Sequence, residues 1–263
     1  MLRKIVFIWV EVLGFLAGGL SVWFGINNYV AVADVIRILP LGDSITQGGR
    51  RERQEYTYRY PLYCMLRERG INVDFIGSLK TGLDPQATWP DCKTVPFDRD
   101  HEGHYGWTTS KVRDHLASWL QTYPHPPDVV LLHLGTNDQK ASDFNQAIIE
   151  PLKDIIAMLR KVNPRVVIFV GHLNFNDGAA LKIRPLVEAM ATELSTEESP
   201  VMTVPFYQGW IEDPHKPHTD TFDWAHPNPQ GQEKMAQKWY EAIKPFLKKL
   251  GQQNNQQQEN SNR

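Results

Sequence analysis

A chain of 263 residues, 41% hydrophobic and 22% charged, has an ordinary globular composition and enough length for one α/β domain. Its formal net charge is −2 and it has no block of basic residues, which argues against a nucleic-acid-binding protein. The two cysteines, Cys64 and Cys92, are too few for a disulfide-built scaffold, and their spacing matches no zinc motif. A single disulfide and two unrelated thiols both remain open, because the sequence does not show whether the two residues lie close together.

Residues 1–33 differ from the rest of the chain. Basic residues open this segment, an apolar stretch follows over 5–24, and small residues stand at Ala31 and Ala33. This layout is typical of a secretory signal peptide. An uncleaved membrane anchor is the first alternative, which Glu11 disfavours because a carboxylate in the hydrocarbon core is costly. A buried N-terminal helix is the second. We therefore expect an exported protein, either secreted, periplasmic or anchored facing outward.

Short apolar runs alternate with helical patterns along the rest of the chain. Continuous apolar runs predict five buried strands, at 35–41, 73–76, 129–134, 166–170 and 201–204. Apolar residues at helical spacing predict helices over 58–69, 110–121, 144–162, 178–194 and from 229 onward. This alternation predicts a parallel sheet between helical layers, with the functional site at the carboxyl ends of the strands.

The connections carry further signals. Pro151 is expected to divide or kink the third helix, and Asn228 followed by Pro229 is expected to begin the last one. Residues 80–103, rich in Gly, Pro and Asp, predict a long loop of the kind that often serves function. Residues 251–263 have no apolar side chain and predict a disordered polar tail, so the domain is expected to span 34–250.

Two polar segments directly follow predicted strands. In Gly-Asp-Ser-Ile-Thr, Ser44 comes just after the first strand, and a serine hydroxyl becomes a nucleophile when a base takes its proton. In Gly-Thr-Asn-Asp, Asn137 follows the third strand and offers an amide donor that can stabilise an oxyanion. Each segment is also typical of an ordinary turn, so neither predicts a site by itself.

Two further segments precede helices. Asp223 and His226 in Asp-Trp-Ala-His are spaced so that the carboxylate can hold the imidazole and stabilise its cation. The chain has nine histidines, so a structural role is the common alternative for any one of them. Gly106 in His-Tyr-Gly-Trp would place a backbone N–H beside these groups, or would be an ordinary loop glycine.

Taken together and in this order, the four segments resemble the four blocks of the SGNH (GDSL) hydrolase superfamily, from residue 36 to about 250. The resemblance implies an α/β fold, a three-layer α/β/α sandwich with a five-stranded parallel sheet. It implies Ser44 as nucleophile, His226 as base and Asp223 as the residue that orients the base. It also implies an oxyanion hole made of the Ser44 and Gly106 N–H groups and the Asn137 side chain, with no metal or organic cofactor.

The stretch His-Glu-Gly-His-Tyr-Gly-Trp at 101–107 resembles the form found in carbohydrate esterase family 3, the acetylxylan esterases, although Tyr105 stands where that family often has serine. The predicted activity is hydrolysis of a small acyl ester, above all an acetyl ester on a carbohydrate. A lysophospholipase or thioesterase, a glycan O-acyltransferase and a non-enzymatic carbohydrate-binding protein are the alternatives. Further candidate substrate contacts are Asp43, Trp107, His172, His218 and Trp224, with Trp89 and Trp210 also near the predicted site.

Overall fold

The computed structural model describes residues 35–50, 55–93 and 95–261. The predicted signal peptide or membrane anchor over 1–33 lies outside the described residues. Within the described ranges, no helix combines the length and the apolar character needed to cross a bilayer.

A parallel β-sheet forms the middle layer of the fold. Its strands are β1 (Ile36–Gly42), β2 (Val73–Phe75), β3 (Glu102–Gly103), β4 (Val129–His133), β5 (Val167–Gly171) and β6 (Val201–Val204). They lie in the order β2-β1-β4-β5-β6, and β3 pairs with the carboxyl end of β1. The five predicted strands are confirmed. The short β3 is a sixth, within a segment predicted as loop, and it exists because Glu102 pairs in register with Leu41 of β1.

Helices cover both faces of the sheet. They are α1 (Ser44–Gln47), α2 (Arg59–Glu68), α3 (Thr109–Leu120), α4 (Glu150–Val162), α5 (Gly178–Leu194) and α6 (Pro229–Ser261). Alternate strand residues enter two separate apolar cores, as the period-two geometry of strands requires. Ile38 and Leu131 pack with α2 and α6 in one core, whereas Leu39 and Leu132 pack with α3, α4 and α5 in the other. The predicted three-layer α/β/α architecture is confirmed.

Two local expectations about the helices are also confirmed. A π-helical turn, Asn145–Ile149, leads directly into α4, and Pro151 lies in the first turn of α4. Proline has no backbone N–H to donate to a preceding turn, so it marks the point where the helical register changes. At α6, the Oδ1 atom of Asn228 accepts a hydrogen bond from the N–H of Gly231 at 3.0 Å, which caps the helix.

The end of α6 differs from the expectation. The helical backbone continues to Ser261, through most of the polar segment for which we expected no regular structure. Gln, the commonest residue there, is a good helix former, so a segment without apolar residues can still extend a helix. The end of the domain near residue 250 stays a prediction.

Cys64 of α2 and Cys92 form a disulfide, with Cα atoms 5.1 Å apart. This answers the question that the sequence left open. The bond fastens the long segment between β2 and β3 to α2, on the side of the sheet that also carries α6.

Candidate active site

Ser44 is placed by the end of β1 and the start of α1. A Cβ atom on Gly42 would lie 2.5 Å from the carbonyl oxygen of His133 on β4, so only glycine lets the two strands run this close together. Asp43 then caps α1, because its Oδ1 accepts a hydrogen bond from the N–H of Ile45 at 3.0 Å. Ser44, the first helical residue, is 3% exposed.

The structure brings Ser44, His226 and Asp223 together from opposite ends of the domain. Ser44 Oγ lies 3.0 Å from His226 Nε2, and His226 Nδ1 lies 2.8 Å from Asp223 Oδ1. Because the carboxylate can only accept, Nδ1 carries the proton and Nε2 is left to accept from the serine hydroxyl. This tautomer is the one that can take a proton from a serine nucleophile.

The turn that holds Asp223 and His226 is built around a single carboxylate oxygen. Asp223 Oδ1 accepts from the backbone N–H groups of Ala225 and His226 at 3.4 and 3.0 Å, in addition to the imidazole. Trp224 between them adopts a left-handed backbone with φ of +70°, which is rare for a bulky residue. This strained turn folds the carboxylate back onto the histidine three residues later.

The loop that follows β3 is anchored by a buried carboxylate. Glu102, 0% exposed, accepts hydrogen bonds from Ser78, His104 and Tyr123. Burial by itself raises the pKa of Glu102, but these hydrogen bonds outweigh it and lower the pKa below its usual value. The imidazole of His104 is stacked on the Trp119 ring, with centroids 4.3 Å apart, so the loop is rigidly attached to α3.

Two predicted oxyanion donors lie next to residues that border the triad: Gly106 follows Tyr105, whose ring stacks on His226, and Asn137 contacts Asp43, the neighbour of Ser44. Gly106 is exposed and has φ of +74°, a conformation that favours glycine, and open space surrounds the position of a Cβ. Asn137 Nδ2 donates to the carbonyl oxygen of Trp107 at 2.9 Å and lies 3.5 Å from Asp43 Oδ2. The third donor, the Ser44 N–H, belongs to the first turn of a helix and so has no carbonyl of an earlier turn to bind.

Arg59, which was not among the predicted site residues, supports the Ser44 turn. Its guanidinium donates to the carbonyl oxygens of Thr46, Gln47 and Arg99 at 2.7, 3.1 and 2.9 Å. Burial lowers the pKa of Arg59 to about 10, still far above neutral pH, so the side chain stays charged. No sequence signal marked this residue, because an arginine at the start of an amphipathic helix predicts an exposed side chain, whereas Arg59 is 1% exposed.

Two predicted substrate contacts have buried side chains. Asp43 is 0% exposed and His172 is 2% exposed, and both are hydrogen-bonded to other protein groups. Burial raises the pKa of Asp43 to about 7, against a smaller opposing effect of its hydrogen bond from Ile45. His172 Nε2 instead lies 2.6 Å from Glu188 Oε1 on α5.

The tryptophans near the site differ in their exposure to solvent. Trp89 and Trp210 are buried in the core. Trp107 stacks on His104 at 4.4 Å and has the Lys111 ammonium 4.2 Å from its ring centroid, so its rings are already occupied by protein groups. Trp224 differs because it is 51% exposed, and it stands within the turn that holds Asp223 and His226.

The last candidate substrate contact is His218, and the possibility of a metal site is considered with it. His218 is exposed and lies in the segment 215–218 that precedes the Asp223 turn. Within the residues described, no group of three or more His, Cys, Asp or Glu side chains is arranged to hold a metal ion.

Comparison with known proteins gives a consistent family assignment. The model of the GDSL-like lipase/acylhydrolase family matches residues 41–234, a span that includes every predicted catalytic position. A multidomain esterase from Ruminococcus flavefaciens is 28% identical over 239 residues. That match covers 83% of this chain and 30% of the relative, so the chain spans less than a third of the curated relative's length.

Solved structures with the same fold include an acetyl esterase and a family 3 carbohydrate esterase. An acetyl esterase mutant crystallised with an acetate ion is 25% identical, with a TM-score of 0.67 over 82% of this chain and 99% of that chain. A family 3 carbohydrate esterase from Talaromyces cellulolyticus is 26% identical, with a TM-score of 0.67 over 81% and 99% of the two chains. With the family model matching most of the chain, this protein belongs to the GDSL-like lipase/acylhydrolase family and is an enzyme with the α/β fold of SGNH hydrolases.

Proposed function

We propose that the protein is a serine esterase in which Ser44, His226 and Asp223 form the catalytic triad. The observation that carries the proposal is the continuous hydrogen-bond chain from Ser44 Oγ to His226 Nε2 at 3.0 Å and from His226 Nδ1 to Asp223 Oδ1 at 2.8 Å. These three side chains have the order and the geometry of a nucleophile, a general base and the group that orients the base.

In the acylation step, Ser44 Oγ bonds to the ester carbonyl carbon while its proton passes to His226 Nε2. Asp223 stabilises the imidazolium that forms. The carbonyl oxygen becomes an oxyanion, which the N–H groups of Ser44 and Gly106 and the amide of Asn137 would bind. The tetrahedral intermediate then collapses, the bond to the alcohol breaks, and His226 gives its proton to the leaving alcohol.

In the deacylation step, His226 takes a proton from water, and the resulting hydroxide attacks the acyl-serine. The same donors bind the second oxyanion. The bond between Ser44 Oγ and the acyl carbon breaks, and the proton returns from His226 to the serine. The net reaction consumes one water and yields a carboxylic acid and an alcohol.

For the substrate, we propose an acetyl or similarly short acyl ester carried by a carbohydrate. The two structural relatives described as an acetyl esterase and as a family 3 carbohydrate esterase support this class. The exposed indole of Trp224 supports it independently, because an aromatic face beside the triad can pack against the apolar face of a sugar ring.

We further propose that the enzyme acts outside the cytoplasm. The Cys64–Cys92 disulfide supports this, since structural disulfides form and persist mainly in oxidising compartments. The signal-peptide pattern of residues 1–33 supports the same conclusion.

The decisive experiment measures acid release from a panel of acetylated glycans and from p-nitrophenyl esters of increasing acyl length. We expect release of acetate, with rates that fall steeply as the acyl chain lengthens. Ser44→Ala is expected to abolish turnover and labelling by a fluorophosphonate probe. Ser118→Ala, which changes an exposed serine on α3, is the matched control and is expected to keep both.

Other outcomes would change the assignment. Wild-type turnover by Ser44→Ala would overturn the triad. Rates that rise with acyl length would instead indicate a lipid-directed hydrolase. Transfer of acetyl to an added glycan, in place of release as acetate, would indicate an acyltransferase.

A further inference from the structure

Tyr105 covers one face of the His226 imidazole. The two rings are stacked, with centroids 5.2 Å apart and an angle of 15° between their planes. The Tyr105 backbone is fixed in turn, because its N–H donates to Gln47 Oε1 at 2.7 Å. Gln47 ends the short helix that begins at Ser44. The tyrosine therefore connects the serine turn to the histidine turn.

Arg50 contacts both Tyr105 and Asp223. Its guanidinium carbon lies 5.1 Å from the centroid of the Tyr105 ring, within the range of a cation–π interaction. Its Nη1 lies 3.5 Å from Asp223 Oδ2, the oxygen on the opposite side of the carboxyl group from the one that accepts the imidazole proton. Arg50, Asp223, His226 and Tyr105 therefore form a closed ring of contacts.

The hydrogen bond to Asp223 alone does not fix the imidazole. It defines the direction of the Nδ1–H bond but leaves the ring free to tilt about that direction, which would move Nε2 away from Ser44. A parallel aromatic ring at stacking distance opposes this tilt. An ion pair on Oδ2 opposes rotation of the carboxyl group, which would carry Oδ1 away from Nδ1. Between them, the two contacts restrain the movements that the hydrogen bond allows.

We propose that Arg50 and Tyr105 are positioning residues for the His226–Asp223 pair. This inference rests on the proposed triad. Neither residue touches the reacting atoms in this role. Tyr105 keeps the imidazole plane aligned with Ser44 Oγ, and Arg50 keeps both Tyr105 and the Asp223 carboxylate in place. Burial raises the pKa of the Tyr105 hydroxyl, so the ring remains a neutral phenol at working pH.

The test compares Tyr105→Ala, Tyr105→Phe and Arg50→Gln by kcat and KM on p-nitrophenyl acetate, with melting temperature measured in parallel. We expect Tyr105→Ala to lower kcat about 10- to 100-fold, since small misplacements of a catalytic base have effects of this size. KM should change less than about threefold, because substrate contacts are unaltered. Tyr105→Phe keeps the ring and should restore kcat to within about threefold of wild type. Arg50→Gln should lower kcat about tenfold.

Arg37→Gln is the matched control, because Arg37 also pairs with a carboxylate, Asp128, but at the amino-terminal edge of the sheet, far from the site. It should leave kcat unchanged. If Tyr105→Ala folds and keeps wild-type kcat while Ser44→Ala is inactive, the positioning role is wrong and the triad stands. If Tyr105→Phe loses as much kcat as Tyr105→Ala, ring stacking is not the cause and the inference is overturned. Should Tyr105→Ala fail to fold, the Phe variant and Arg50→Gln still decide the question.

Discussion

The Asn137 side chain is tied to the loop of Gly106, because its Nδ2 atom donates to the carbonyl oxygen of Trp107 at 2.9 Å. An amide nitrogen carries two hydrogens, and the second faces Asp43 Oδ2 at 3.5 Å, a long contact that an oxyanion bound beside Ser44 would replace. The structure therefore offers a donor that is oriented before substrate arrives, which is the condition under which such donors contribute most to catalysis.

Asn137→Ala is expected to lower kcat about 10²- to 10³-fold with little change in KM, because the donor acts mainly on the transition state. The measurement is steady-state kinetics on p-nitrophenyl acetate. Gln139→Ala is the matched control, since Gln139 also donates its side-chain amide to a backbone carbonyl, that of Thr136, at 3.0 Å. Equal losses in the two variants would assign the effect of Asn137 to loop structure instead of oxyanion binding.

Trp224→Asn is expected to weaken binding of a glycan ester without weakening a small ester. Asparagine tolerates a left-handed backbone, so the substitution removes the indole while keeping the turn that holds Asp223 and His226. KM for an acetylated oligosaccharide should rise about tenfold, the equivalent of about 1.4 kcal/mol. Values for p-nitrophenyl acetate should change less than about twofold.

Leu181→Ala is the control for loss of an exposed apolar side chain, because Leu181 is 52% exposed on α5, much like Trp224. It should not affect either substrate. An unchanged KM for the oligosaccharide in Trp224→Asn would remove the main structural support for a carbohydrate substrate.

Asp43→Asn is expected to make the stability less sensitive to pH. Because burial raises the pKa of Asp43 from 3.8 to about 7, its neutral form is favoured in the folded state, and that contribution is complete below the unfolded pKa. It is lost as pH rises through about 7. Asparagine keeps an oxygen to accept from Ile45 and has no charge to bury. The stability of the variant relative to wild type should therefore increase from about pH 5 to about pH 8, by at most about 3 kcal/mol.

Urea unfolding at the two pH values measures this difference. Asp114→Asn, which changes an exposed carboxylate on α3, is the control, and its free energy of unfolding should differ from that of wild type by the same amount at both pH values. If the difference between Asp43→Asn and wild type is also the same at both pH values, the Asp43 carboxyl of the folded protein does not titrate between them.

Removal of the disulfide by Cys64→Ala with Cys92→Ala is expected to lower the free energy of unfolding by about 2–4 kcal/mol, because the bond closes a loop across 28 residues of sequence separation. Thermal unfolding with and without a reducing agent measures the effect. Wild type should lose stability on reduction, whereas the double variant should not respond. kcat should persist in the folded double variant, because neither cysteine belongs to the triad. A wild-type melting temperature that is unaffected by complete reduction would show that the bond adds no stability.

The strands were predictable from sequence because a strand covered on both faces reads as a continuous apolar run, and all five runs are strands. β3 was not predictable, since a two-residue strand of Glu and Gly has no pattern of its own and depends on pairing with β1. The order of the motifs was enough to name the residues that the structure brings together. It could not show that Tyr105 stacks on His226, which are far apart in the chain, because that contact depends on the packing of two loops.

Burial distinguishes several side chains from what their chemistry suggests. Asp43 and His172 have side chains typical of substrate contacts and lie near strand ends, yet both are covered by other elements. Arg59 is the converse case, because its charged side chain was not expected to be buried. Packing hides it from solvent, where its guanidinium donates hydrogen bonds to three backbone carbonyl groups. Sequence reports the chemistry of a side chain, whereas its access to solvent is decided by tertiary packing.

The buried Glu102 carboxylate has a practical consequence for redesign of the enzyme. It accepts hydrogen bonds from Ser78, His104 and Tyr123, and a change in the loop would leave some of these buried groups without a partner. Libraries that randomise the loop before Gly106 should therefore consist mostly of inactive, poorly expressed clones. The exposed stretch 215–218, next to the indole of Trp224, carries no comparable anchor among the described residues. Attempts to alter the proposed glycan-ester specificity should therefore diversify that stretch and leave the Glu102 loop intact.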